Sequence, residues 1–150
     1  MFAEWMFTKM PVCEDDIKII EEKLSFAFPS DYKNRIVAIN AGAPQFNRFA
    51  AKNGGEKTIN NLYSLNFMDG ISYILNYQIR DSDYENLLVA IARDGLGNKI
   101  CYVRSDKSIV FWNHEKDTID LICGSFSEFE ELLHSYLTPA AYNAKKMEEA

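Results

Sequence analysis

Four groups of residues in this 150-residue chain are of types that do chemistry. The first is Asp94-Gly95-Leu96-Gly97-Asn98, an acid, two glycines and an amide of the kind that ligates calcium or cradles phosphate. A calcium loop counted from Asp94 needs an oxygen ligand at its third position, glycine at its sixth and glutamate at its twelfth. Those positions hold Leu96, Lys99 and Ser105. A dinucleotide fingerprint needs a third glycine and a helix whose N-terminus faces the pyrophosphate. Here Gly97 is followed by Asn98, Lys99, Ile100 and strand-like sequence, and no Gly-Lys-Ser/Thr run exists. What remains is a hairpin turn, the structure that Asp, Gly and Asn favour.

The second group is the histidines. His114 and His134 are too few and too far apart for a zinc-binding H-E-x-x-H helix, of which His114-Glu115 is only a dipeptide. The third is the nucleophiles. Cys13, Cys101 and Cys123 form no C-x-x-C pair and read as reduced thiols, buried as small hydrophobes. Gly124-Ser125 lacks the second glycine of a nucleophile elbow, and helix capping accounts for Ser125. The fourth is the acidic run Arg80–Asn86 with Asp81, Asp83 and Glu85, which reads as a solvated loop. No pattern calls for catalysis, a cofactor or a metal, so the expectation is a protein that is not an enzyme.

Charge narrows the partners. With 16 basic and 22 acidic residues the net charge is -6, which repels nucleic acid and anionic membrane and attracts a basic protein. No apolar run approaches the roughly 20 residues of a membrane span. The first residues lack the order of a signal peptide, since Glu4 precedes Lys9 and no apolar stretch follows. A cytoplasmic protein is expected.

The elements that position these residues follow from periodicity. Residues 1–12 are compatible with an edge strand or a short helix ending at Pro11. Cys13–Leu24 is helical, with Ile17, Ile20 and Leu24 at helical spacing and Glu14, Asp15 and Asp16 in the first turn. Ser30 suits the N-cap of a second helix that Asn40-Ala41-Gly42 stops. Phe46–Ala51 and Thr58–Leu65 flank Asn53-Gly54-Gly55-Glu56 as a hairpin, and residues 69–79 suggest a short helix. Leu87–Arg93, Lys99–Arg104, Ser108–Asn113 and Thr118–Ile122 are strands whose short connections favour an antiparallel meander. A last helix starts near Ser125, with Ser125-x-x-Glu128 at capping-box spacing. Phe126, Phe129, Leu132, Leu133, Tyr136 and Leu137 form its apolar stripe, and Glu128, Glu130 and Glu131 fall off it. Residues 1–150 read as one domain with a core of about 13–137 and a polar tail at 138–150.

Three motifs in this order resemble the SUKH superfamily, the Smi/Knr-type domain, over about residues 13–137. They are Phe28-Pro29-Ser30-Asp31-Tyr32-Lys33 with Asn40-Ala41-Gly42, then Ile91-Ala92, Asp94, Gly97-Asn98, Val110, Trp112 and His114-Glu115, then Ser125-Phe126 and Phe129. Phe28 stands where the family has leucine, Ala41 interrupts its asparagine–glycine pair, and residues 43–86 match little. The resemblance implies an α+β domain, a mixed and mostly antiparallel sheet flanked by helices. It also implies a binding role. Bacterial members are mainly immunity proteins that neutralise a polymorphic toxin domain, often a nuclease, and fungal relatives are regulatory scaffolds of cell-wall signalling.

An acidic member would meet the basic surface of such a toxin through Asp81, Asp83, Glu85, Asp94, Glu115 and Asp117, with Tyr84 and Trp112 as anchors. The alternative is a non-catalytic regulatory domain of the same fold with another protein partner. For any single residue the plainer roles compete: a solvated loop for each acid, a core strand position for Trp112.

Overall fold

The structure, a computed structural model, describes residues 4–135. Three helices pack with a five-stranded antiparallel sheet. In chain order the elements are β1 (Trp5–Met6), α1 (Glu14–Leu24), α2 (Ser30–Ile39), β2 (Ala43–Pro44), β3 (Arg48–Ala50), β4 (Glu56–Thr58), β5 (Asn61–Leu62), a 3-10 turn (Ile74–Tyr77), β6 (Leu88–Arg93), β7 (Lys99–Val103), β8 (Ile109–Asn113), β9 (Thr118–Cys123) and α3 (Phe126–Ser135). Strands β5 to β9 lie side by side in sequence order, the meander that short connections require. Strand β6 is the central apolar run, with Leu88 to Ala92 all buried and a bulge between Ala90 and Ala92.

Helix α1 starts where its acids expect it, since the Asp16 carboxylate accepts the Cys13 N–H at 3.0 Å. That places Cys13 at the exposed cap rather than in the core; Cys101 and Cys123 are buried as expected. The helix ends on Ser25, whose φ of 50° is left-handed. Helix α2 begins one residue earlier than its capping serine suggests, with Pro29 at the cap and Ser30 inside. Its Asp31 serves a different helix. One carboxylate oxygen accepts the Ser127 N–H at 2.9 Å and its hydroxyl at 3.2 Å, which caps α3 from across the core.

The Pro-Ser-Asp-Tyr-Lys start is therefore a packing device. The Phe28 and Tyr32 rings meet at 4.8 Å, tilted by 38°, and both join Phe26, Tyr102 and Phe126 in one aromatic cluster between the helices and the sheet. Glu21 closes it from α1 by accepting the Phe28 N–H at 2.7 Å.

The Asn-Ala-Gly stop has an equally local cause. Ala41 takes the left-handed position, at φ 60°. Gly42 follows because a Cβ there would lie 2.8 Å from the Ile39 carbonyl. Asn40 is 1 % exposed, and its amide ties three segments together. It donates to the Met10 carbonyl and the Ser64 hydroxyl, both at 2.9 Å, and accepts the Leu65 N–H at 2.9 Å. Asn40→Ala leaves that buried N–H unpaired and is expected to cost about 2–4 kcal/mol of stability. Urea unfolding at unchanged m-value measures it.

Two expectations are corrected in the middle of the chain. The hairpin exists, but its second strand is Glu56–Thr58, where the sequence reading placed Thr58–Leu65. Asn61–Leu62 instead pairs with β6 as β5. Residues 69–79 contain one 3-10 turn and no longer helix. Beyond it the Gln78 side chain takes the place of a strand, exchanging two 2.9 Å hydrogen bonds with the Ala90 backbone. Tyr136, Leu137 and the polar tail lie outside the described residues.

Candidate interaction surface

Asp94-Gly95-Leu96-Gly97-Asn98 is the hairpin turn between β6 and β7. Asp94 is 4 % exposed and its carboxylate is spent on the loop itself. It accepts the N–H groups of Leu96 (2.8 Å) and Asn98 (2.9 Å) and the Asn98 side-chain amide (2.9 Å). Asn98 in turn accepts the His114 N–H at 3.0 Å, and the His114 ring meets the Leu96 carbonyl at 2.9 Å. Gly97 has φ +91°, and a Cβ there would come within 3.1 Å of that ring. The D-x-x-G-N and H-E motifs thus interlock two neighbouring turns.

Around that lock the chain brings two acidic segments together. Residues 81–87 cross to the β8–β9 turn, where the Ser82 hydroxyl donates to Asp117 Oδ1 at 2.5 Å. The Trp112 indole Nε1–H donates to the same oxygen at 2.8 Å. Trp112 is 8 % exposed, so its ring belongs to the core and only its nitrogen serves the latch. Tyr84 packs partly buried against that core, and the Ser82 oxygen accepts the Tyr84 N–H at 3.0 Å. Asp81, Asp83, Glu85 and Glu115 are exposed around it, with Arg80 and Lys116 offsetting part of their charge. Of the eight candidates, Asp94 is turned inward, Trp112 and Tyr84 support the surface from below, and Asp117 fastens its two halves.

The bonds from Ser82 and Trp112 hold the Asp117 carboxyl below the usual aspartate range. A depressed folded value means that the latch's contribution is present above the unfolded aspartate pKa and is lost as pH falls through the lower folded one. The Trp112 indole proton resonance is expected to stay fixed from neutral pH down through the ordinary aspartate range and to move only below it. Movement at or above the ordinary value would count against the latch, and Asp117→Asn should abolish the transition.

The two buried thiols move in the opposite direction from an activated group. Burial pushes the Cys101 thiol up, and it pushes Cys123 up to about 12. Among the described residues no group of three or more His, Cys, Asp and Glu side chains is placed to hold a metal ion. None of their helices is long and apolar enough to cross a membrane.

A second surface escapes sequence reasoning. Phe7 (80 %), Phe67 (73 %), Met68 (72 %) and Ile71 (81 %) are exposed, with Met6 and Met10 half-exposed beside Phe7 in the chain. The two segments that carry them are held together. Asn66 donates to the Pro11 carbonyl at 3.2 Å, and Lys9 lies 3.7 Å from Asp69. The available signal was Asn66-Phe67-Met68-Asp69-Gly70-Ile71, apolar residues inside turn chemistry that fit neither a strand nor a helix period.

The model of the SUKH family described as SMI1-KNR4 cell-wall matches residues 14–129, from the first residue of α1 into α3. The chain belongs to this family. The comparison with curated proteins gives no match. SUKH domains are associated with immunity or antitoxin-like proteins and with cell-wall-related SMI1-KNR4 proteins, and they typically act through protein–protein contact. The match contains the aromatic cluster, both interlocked turns and the Ser82–Asp117 latch, whereas Met6, Phe7 and Lys9 precede it.

Proposed function

We propose that this SUKH protein is a non-catalytic, cytoplasmic immunity protein that binds a cognate toxin domain and neutralises it by covering a basic surface such as that of a nuclease. The observation that carries this reading is the Ser82–Asp117–Trp112 latch. It holds two exposed acidic segments, distant in sequence, as one preorganised surface in a chain of net charge -6. A nuclease surface must be cationic to hold phosphates, and an acidic lid both covers it and steers the encounter. Blocking needs no catalytic group, in keeping with thiols that burial pushes up.

Co-expression with the toxic C-terminal domain encoded beside the gene tests the proposal. Co-purification and rescue of growth are expected. A cell that dies despite soluble protein, or a toxin that fails to co-purify, rejects it.

A further inference from the structure

The exposed apolar face continues into a polar groove of the opposite charge to the acidic loops. Phe7, Lys9, Asn60 and Arg93 line a cavity of about 210 Å3. A second cavity of about 270 Å3 shares Asn60 and Arg93 with it and adds Lys99 and the inward-turned Asp94, walled by Tyr63 and Tyr77. Those two rings stack at 4.8 Å with 6° between their planes, and the Tyr77 hydroxyl donates to the Ile71 carbonyl. The apolar loop and the cationic cavity are therefore one connected surface.

Its charges are arranged at a cost. Arg93 and Lys99 are direct cross-strand partners, a position where like charges destabilise a sheet. Lys99 is partly withdrawn from water, and burial lowers its pKa with Arg93 adding to the effect. Its ammonium lies over both tyrosine rings at 5.1 and 5.4 Å and gives one hydrogen bond, 2.7 Å to the Tyr63 hydroxyl. The remaining two N–H donors are left for the cavity. The acids nearby do not answer these cations. Asp94 is consumed by its own turn, and Asp69 faces Lys9. Arg93 is exposed and gives its Nε–H to Asn61 at 2.9 Å, so its outer nitrogens also remain for a ligand.

We propose that this face is a second docking surface, for a polypeptide segment that seats apolar side chains on Phe7, Phe67, Met68 and Ile71 and places a carboxylate between Arg93 and Lys99. The surface is independent of the acidic latch and of the identity of any toxin. It fits an acidic, apolar segment, the reverse of what the latch face attracts. An exposed apolar patch supplies the contact area, and a desolvated pair of cations supplies the selectivity.

The test is an amide NMR titration of the full 15N-labelled chain with the peptide acetyl-Leu-Glu-Leu-Glu-Leu-amide, its glutamine counterpart and inorganic phosphate. Saturating shifts are expected at Phe67–Ile71, Arg93, Gly95, Gly97 and Lys99. The glutamine peptide should bind at least about tenfold more weakly, the loss that follows from removing a charge-assisted hydrogen bond. Arg93→Gln and Ile71→Ser, both at exposed positions, should each weaken the glutamate peptide with the spectrum otherwise intact. Equal binding of the two peptides, or no shifts at these residues, overturns the proposal. Phosphate saturating the same amides as tightly makes it a small-anion site instead. Self-association of the full chain that Ile71→Ser abolishes assigns the face to a second copy, which also overturns it.

Discussion

Glu130→Ala is expected to lower the free energy of unfolding by about 3–5 kcal/mol, the range for removing one partner of a buried ion pair. Glu130 is fully buried on α3. Its two oxygens accept Arg35 Nε–H at 2.8 Å and Nη2–H at 3.2 Å, a fork from α2. The second oxygen also lies 3.5 Å from the Trp5 indole nitrogen. Truncation therefore takes the fork away from a guanidinium whose side chain is only 22 % exposed, and it loosens three elements at once. Arg35→Ala should cost a comparable amount, because it removes both fork bonds from a carboxylate in the core. The double variant Arg35→Met/Glu130→Leu should recover much of the loss, since an apolar pair of similar volume replaces both charges. Denaturant unfolding of the parent, the two alanine variants and the double alanine variant gives the coupling energy. A loss below about 1 kcal/mol for Glu130→Ala would mean the pair behaves as a surface bridge. Hydrogen exchange adds a second reading: freeing Trp5 should raise exchange at β1, which leads directly into Phe7.

This ion pair also marks where sequence reasoning stops. The stripe of Phe126, Phe129 and Leu133 fixes the buried side of α3, and Glu130 is set apart from it by charge, although it lies four residues after Phe126 and three before Leu133 on the same helical face. The structure buries it all the same, because Arg35 reaches it from a helix 95 residues away in sequence. Pairing across helices leaves no local trace. The meander was legible for the converse reason: β6 to β9 are apolar runs joined by short turns, and each turn is closed by its own residues, as Asp94 does for the first. Ser30 shows a milder failure. Its neighbour Pro29 occupies the cap, and Asp31 spends its carboxylate on α3. Of the surface, the acids were legible as charge, but the latch was not. Nothing in Arg80–Asn86 announces that Ser82 reaches Asp117. The apolar face went unread because Phe67, Met68 and Ile71 look like core residues in every scale that ignores where the chain turns.

The second large effect concerns binding. Changing Asp81, Asp83 and Glu85 together to lysine is expected to slow association with a basic toxin domain by about 10- to 1000-fold at low salt. The three side chains are exposed, and no ion pair among the described residues engages them. The fold should survive, because exposed charges contribute little to stability. The change is instead felt as diffusional repulsion in place of steering, so raising the salt concentration should narrow the gap between variant and parent. Two single variants separate this from general damage. Asp117→Asn keeps the steering charges but weakens the latch, so it should raise the dissociation rate more than it slows association. Asp94→Asn disturbs only the buried turn and should lower stability while leaving the association rate near that of the parent. Stopped-flow rates at two salt concentrations distinguish these patterns. If the triple lysine variant associates as fast as the parent and still protects the cell, the acidic segments are not the contact surface.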